Sequence, residues 1–422
     1  MIKQSALTLV TPVIPGKHDE LNDTLMKIRA ELSSGEFKEF EKINTLHYAR
    51  FVLLEDKLST AKTNLVFSSD YDGDESEHLM LLVQKCTDLI DKLYSCCEGY
   101  PAAGQRTAEN RVAYLKKSQN KNSAFYIGAP GRSLQQILQE NKLRNYLWDY
   151  LRKGKWEGKS AKEVHNIVRS HIASLPEFSW TNERVTLPKS RKNTVIVVLA
   201  ILAIVLFPLT ILIAIIAGLW LLVLHFTLEK KDKPLGMTPS QIDDKFITNL
   251  EGYEDFHNQN QFTQIIPMKP GIMRLITINL VLLYGKFRIK NEFLEGELMG
   301  IPTIHFARWV MLDNNKQVLF FSNFDGSWQQ YLGDFIDKSG WGLTGIFSNT
   351  ENFPNTRYLF WGGAYDEEHF LAWSRYYQIP TQVWYCAYPK LSIKNINTNS
   401  LIRTELIKDL DEHQAQTFLN RF

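Results

Sequence analysis

Two stretches of the chain carry the same residues with chemical potential. Thr303 to Leu312 reads TIHFARWVML, and Thr45 to Leu54 reads TLHYARFVLL, with His, Ala and Arg unchanged. Each is followed by an aspartate before glycine: Asp325 in SNFDG and Asp72 in SSDYDG. A histidine can act as ligand or as acid/base, and a planar guanidinium can hold an anion or a peroxide. His305, Arg308 and Asp325 are therefore the candidate catalytic residues, with His47, Arg50 and Asp72 as their equivalents in the first copy. In a strand, His305, Ala307 and Trp309 share one face while Phe306, Arg308 and Val310 share the other. A structural reading of the same residues is a buried histidine satisfied by backbone and an arginine paired with Asp325 or Asp72. The functional reading places a pocket between sheets, with Asp325 as acid/base.

The echo extends well beyond these stretches. Val66 to Gly73 lies over Leu319 to Gly326, and SAFYIGAPGRSLQQI over QVWYCAYPKLSIKNI, which aligns Tyr126 with Tyr385 and Pro130 with Pro389. Order and spacing agree over more than a hundred residues, which reads as a duplication. Each copy gives the same string: a strand, a helix, two strands rich in β-branched and aromatic residues, a helix, a last strand and a trailing helix. This βαββαβ order is the ferredoxin-like unit, and two such sheets face to face make an α+β barrel. The expected fold class is thus α+β: tandem ferredoxin-like units with an inserted membrane hairpin. Its expected parts are residues 1–188, 189–233 and 234–422. One element differs between the copies: HDELNDTLMKIRAEL is amphipathic, whereas IMRLITINLVLLYGKF is apolar nearly all round and belongs near a membrane surface.

From Thr194 to Phe226 no Asp, Glu, Lys or Arg occurs. The run exceeds the roughly 18 apolar residues that argue for membrane insertion. Val197, Leu206, Ile213, Trp220 and Leu224 are its expected membrane residues, with Pro208 breaking helical geometry near the middle. Basic residues flank both ends, KSRK from Lys189 and EKKDK from Glu229. Lysine and arginine favour the cytoplasmic side. The doubled flank suits a hairpin that enters and leaves on one face, with both soluble parts cytoplasmic; a single kinked spanning helix is the competitor.

The remaining composition narrows the partners. The 422 residues carry a net charge of +2, which implies neither nucleic acid nor a strongly acidic partner. The four cysteines form no CxxC pair, so a structural metal is not expected and a reducing compartment fits best. The N-terminal MIKQSALTLVTPV reads as a first strand rather than a signal peptide. No P-loop, Rossmann glycine fingerprint, nucleophile elbow or HExxH is present. The aromatic run around Tyr358, Trp361, Tyr365 and Trp373 reads as cavity lining or as packing.

Tandem ferredoxin-like units carrying HFARW and SNFDGSW resemble the dimeric α+β barrel superfamily, which includes dye-decolourising peroxidases and chlorite dismutases. The resemblance covers most of the chain outside the apolar segment, as a pattern. It implies a Gly-x-x-Asp-Gly motif whose aspartate works beside haem with an arginine, and a proximal histidine on the iron. Here Asp325 matches the aspartate, Ser322 and Ser69 stand where the first glycine would be, and no motif maps the proximal histidine. His305 is the candidate haem ligand. Two functions follow as expectations. One is a membrane-anchored protein, singly or as a homo-oligomer, binding a hydrophobic ligand, lipid or partner. The other is a haem-dependent, peroxidase-like oxidoreductase acting on membrane-derived or small peroxides.

Overall fold

The computed structural model describes residues 2–55, 63–183, 187–294 and 297–422. In the first half, β1 (Gln4–Pro12) leads through α1 (His18–Ser34) to β2 (Leu46–Glu55) and β3 (Thr63–Asp72). Helices α2 (Glu75–Lys85), α3 (Thr87–Tyr94) and α4 (Ala108–Lys117) precede β4 (Asn122–Ile127), α5 (Leu134–Lys153) and α6 (Ala161–Ala173). The apolar segment forms α7 (Lys192–Val205) and α8 (Phe207–Val223), and α9 (Asp244–Glu251) leads onward. The second half opens with β5 (Gln259–Pro267), α10 (Ile272–Asn291), β6 (Ile304–Leu312), β7 (Gln317–Asp325) and α11 (Trp328–Phe347). A small ribbon of β8 (Thr356–Arg357) and β9 (Trp361–Gly362) follows, then α12 (Glu367–Tyr377). The chain closes with β10 (Val383–Cys386), α13 (Ile393–Leu406) and α14 (Glu412–Leu419).

The fold is α+β, with two four-stranded antiparallel sheets in matching order, β1-β3-β2-β10 and β5-β7-β6-β4. Registers match as well: Gln4 faces Asp72 as Gln259 faces Asp325. The last strand of each half is exchanged, so β4 pairs with β6 and β10 with β2. A self-contained sheet in each half is therefore not what forms. The long path from β3 through α2, α3 and α4 lets the chain cross over and cover the edge that β6 would otherwise leave open. One face of each sheet carries helices, over cores around Leu7, Phe51 and Leu93 and around Ile278, Phe324 and Trp373. The other faces meet across Val52, Val66, Val310 and Phe321. Burial on both sides explains why β2 is buried at every residue from Leu46 to Leu54. Among the described residues the sheet edges meet through isolated bridges, Leu9 with Gln119 and Gln264 with Gln378, and through side chains such as the Asn122 amide on the Ala6 carbonyl (3.2 Å), with no continuous strand ladder between the two sheets.

The apolar arms leave this body and come back to it. At the start, the Arg191 amide donates to the Asn291 carbonyl (2.7 Å) and Lys192 pairs with Glu292 (3.4 Å), at the C-terminal end of α10. Near the far end, Trp220 donates its indole N–H to Thr277 Oγ1 (3.0 Å) toward the other end of α10. Thr277 to Asn291 spans about 21 Å along that helix, and the stretches from Lys192 to Leu206 and from Leu206 to Trp220 are each also about 21 Å, whereas one straight run between the two contacts would need about 42 Å. Beyond Trp220 the second arm continues as helix to Lys231. The arms thus form a V over α10. Its apex is Leu206, where φ −103° and ψ 31° leave the helical region ahead of Pro208. Ile204 is 75% exposed and Val205 70%, with Val197 and Ile213 exposed along the arms. Leu224 is the exception: it is wholly buried by protein.

Candidate functional site

The sequence-predicted residues form two matched polar clusters. A bulge interrupts β6 between Ile304 and Phe306, and another interrupts β2 between Leu46 and Tyr48. His305 and His47 are the extra residues. Ala307 and Trp309 face the helices, and Phe306, Arg308 and Val310 face the other sheet, as alternation requires. His305 departs from the strict alternation expected of it, because a bulge re-aims the inserted side chain. It lies against Tyr48 (5.8 Å between ring centroids) and Tyr388 (6.0 Å), across the sheet interface.

Each histidine meets the aspartate at the end of the neighbouring strand: His47 Nε2 to Asp72 Oδ1 is 3.0 Å, and His305 Nε2 to Asp325 Oδ1 is 2.7 Å. The second oxygen of each aspartate accepts a helix-opening amide, from Leu134 on α5 (2.7 Å) and Ile393 on α13 (2.9 Å). A carboxylate suits the positive end of a helix. The aspartates thus hold the trailing helices, while Ser327 caps the helix that follows Asp325. The two pairs differ in one partner. His47 Nδ1 meets the Tyr388 hydroxyl at 3.0 Å, two residues beyond β10. Two residues beyond β4 stands Ala129, and His305 Nδ1 has no hydrogen-bond partner although the ring is buried.

The arginines cross between sheets. Arg308 donates to the Leu7 carbonyl (2.8 Å), Thr8 Oγ1 (3.3 Å), the Ser69 carbonyl (3.2 Å) and Asp70 Oδ1 (2.8 Å). Arg50 makes the matching set with the Phe262 carbonyl (2.9 Å), Thr263 Oγ1 (3.0 Å), the Ser322 carbonyl (3.0 Å) and Asn323 Oδ1. The expected arginine pairings with Asp325 and Asp72 do not form, because both aspartates are taken by histidine and helix amides. Where Arg308 finds Asp70, Arg50 finds an amide, and Asn323 in turn donates to Asp70 Oδ2 at 3.0 Å. Two guanidinium groups therefore share one carboxylate in the interior. Burial pushes the Arg50 guanidinium down to about 9 and the Asp70 carboxyl up, against the pull of both arginines. At 9 the guanidinium stays charged near neutrality.

This layer is satisfied rather than open. A porphyrin on His305 would have to displace Tyr48 and Tyr388, and the Arg308 and Asp325 groups that would serve it are bonded to protein. The residues do not fit haem. Among the described residues, no cluster of His, Cys, Asp and Glu could hold a metal ion.

The open surface lies elsewhere. On α10, Arg274, Thr277, Ile278 and Leu282 are buried, while Ile272, Ile276, Leu280, Leu283 and Phe287 form an exposed row at helical spacing. Trp341, Trp361 and Tyr365 are exposed nearby on the α11 side of the body. The apolar segment rejoins the body through buried Glu229. That carboxylate accepts the Tyr358 and Leu359 amides (2.8 Å each) and the Thr356 hydroxyl (3.1 Å), and meets His225 Nδ1 at 2.8 Å. Tyr358 (φ 49°) and Leu359 (φ 72°) adopt left-handed conformations whose successive amides make an anion-holding concavity.

Sequence reasoning missed Asp70, Asn323, Tyr388 and Glu229. The signal for the first two was available: Asp and Asn are poor strand residues, and each sits inside a stretch that otherwise reads as a strand. Tyr388 and Glu229 act across long sequence distances and gave none. Comparison of the chain with protein-family models, with curated proteins and with solved structures returned no match.

Proposed function

We propose that this is a membrane-anchored protein whose duplicated, ferredoxin-like halves sit together on one face of a bilayer, with membrane lipids as its partners. One observation carries the reading: two apolar arms leave the body, meet at an exposed apex and return to a helix whose own outer row is apolar. The α7 arm, about 21 Å long, is shorter than the roughly 30 Å hydrocarbon core. The helix from Phe207 to Lys231 is long and apolar enough to cross, but the body holds its far end through Trp220 and Glu229, so we read the V as dipping in and returning. The arms keep their backbone bonds within helices, as a lipid environment requires. Exposed Trp341, Trp361 and Tyr365 suit the headgroup level where aromatic residues collect. Matching registers, paired bulges and equivalent arginine contacts support the duplication. An exposed apolar surface of this extent is otherwise an aggregation liability. Charging the apex tests the reading, because one aspartate at the membrane centre costs about 2.5–3.5 kcal/mol on insertion scales. Ile204→Asp with Phe207→Asp is expected to abolish flotation with phosphatidylcholine vesicles while the circular dichroism of the body is unchanged. Undiminished flotation of the double variant contradicts the insertion.

A further inference from the structure

We infer a binding site for one anionic phospholipid at the C-terminal end of α10, with an acyl chain in the groove between α10 and α11 and the headgroup on the adjoining basic cluster. The inference rests on the membrane reading above and names the lipid class it would select.

The groove is apolar and holds about 70 Å³ of free volume, lined among others by Val281, Gly285, Trp309, Phe335, Trp341 and Gly342. At roughly 10–15 Å³ per water-sized probe, that is room for about five to seven waters or a short run of methylenes. Glycine opens it: a Cβ on Gly285 would meet nothing within 4 Å. The groove runs beside the exposed row of α10, so a chain leaving the bilayer stays in apolar surroundings along its whole path.

A second cavity, of about 470 Å³, meets the groove at Ala124, Ile289 and Phe293. Lys121, Lys286 and Lys290 line it together with Gln119, Asn120 and Asn122, against one carboxylate, Glu75, which accepts from the Gln119 amide. The fold adds to this charge. The bonds of Arg191 and Lys192 bring the basic flank at Lys189 to Lys192 to the last turn of α10, at Asn291 and Glu292. Glu292 answers Arg288 and Lys192. Lys286 and Lys290 lie four residues apart on the solvent side of one helix turn. Lys121, Lys286 and Lys290, from two distant parts of the chain, thus form a cationic surface at the rim of an apolar groove. A phosphodiester on a hydrocarbon chain complements both parts, and clustered lysine and arginine at a membrane face recognise anionic headgroups.

The test uses the full chain reconstituted in bilayers of phosphatidylcholine with phosphatidylglycerol, then released into mild detergent. Lipid retained on the protein is identified by native mass spectrometry. Wild type is expected to retain phosphatidylglycerol in preference to phosphatidylcholine. Lys286→Glu with Lys290→Glu should cut that preference at least about fivefold, the factor a single lysine supplies near an anionic surface. Gly285→Leu should remove the retained lipid by filling the groove. That variant replaces a poor helix former with a good one, so misfolding does not explain its effect. Flotation on phosphatidylcholine vesicles alone reads the anchor separately and should be unchanged in both variants. Equal retention of the two lipids by wild type, or wild-type retention by Gly285→Leu, overturns the site while leaving the anchor standing. Failure of wild type to float on phosphatidylcholine overturns the anchor and the site with it.

Discussion

Between the sheets, His47, Arg50, Asp70, Arg308 and His305 are buried, and nearly every polar atom they carry is bonded to protein. Along α10 and the two arms, leucine, isoleucine and phenylalanine stand exposed with no protein across from them. The groups able to do chemistry are inaccessible, and the accessible surface is chemically plain. A buried layer of hydrogen-bonded charge fixes how two sheets register, because each guanidinium must find four acceptors on the opposite sheet. A bare apolar surface has no such partner within the chain, and in the proposed reading hydrocarbon supplies it. The contrast is what motivates placing the proposed function at the surface rather than in the interior.

The interior half of this comparison predicts strong, uneven effects. Arg308→Met leaves Asp70 buried without its direct cation and should cost about 3–5 kcal/mol, read from chemical denaturation in detergent. Arg50→Met removes the guanidinium that has no carboxylate of its own and should cost clearly less. Equal losses would mean that the two halves are energetically equivalent despite Asn323 standing where the first half has Asp70. In neither case should the folded fraction lose vesicle binding.

Acid should separate the halves next. His78 stacks on Tyr71 at 3.6 Å, and its counterpart Tyr331 stacks on Phe324 at 3.9 Å. Burial pushes the His78 imidazole down to about 3 from its usual 6.5, while it pushes the Tyr331 phenol up. Below 6.5 the unfolded chain takes up a proton that the folded chain refuses, so stability falls as pH drops from 6.5 toward 3. By about pH 4 the loss should reach roughly 3 kcal/mol. His78→Tyr, which copies the second half, should flatten that part of the pH profile. An unchanged profile would assign acid sensitivity to other groups.

The smallest contrast concerns the two bulged histidines. His47→Ala breaks two side-chain contacts and His305→Ala one, so the first should cost about 1–3 kcal/mol and the second about half as much. The same pair sharpens the chemistry. Hemin added to the purified protein is expected to give no Soret band that depends on His305. A band lost in His305→Ala would show that the interior opens, and would reverse the assignment of function to the surface.

Much of this was legible from residues alone, and the failures share a cause. The alternation of strands and helices along the chain, the paired HxAR strands, the break ahead of Pro208 and the apolar character of Ile272 to Phe287 are local patterns, and local patterns are what a sequence displays. The bulges were not legible, because an inserted residue is defined by the strand opposite and His305 reads as ordinary alternation. The exchanged strands β4 and β10 were hidden for the same reason: either sheet offers VWYC or SAFYI an acceptable edge. Arg308 was assigned to the nearer aspartates, whereas packing the sheets face to face put Asp70 across from it. The burial of Leu224 came from the body folding back on the end of the arm, which hydropathy does not encode.

The account stands most directly on where the two ends of the chain lie. With a tag at each terminus and the protein inserted into sealed vesicles, added protease should remove both tags to the same extent, since a V returns the chain to the side it left. Protection of one tag, with cleavage only after detergent, would make α7 and α8 a spanning unit and would separate the halves that share strands β4 and β10.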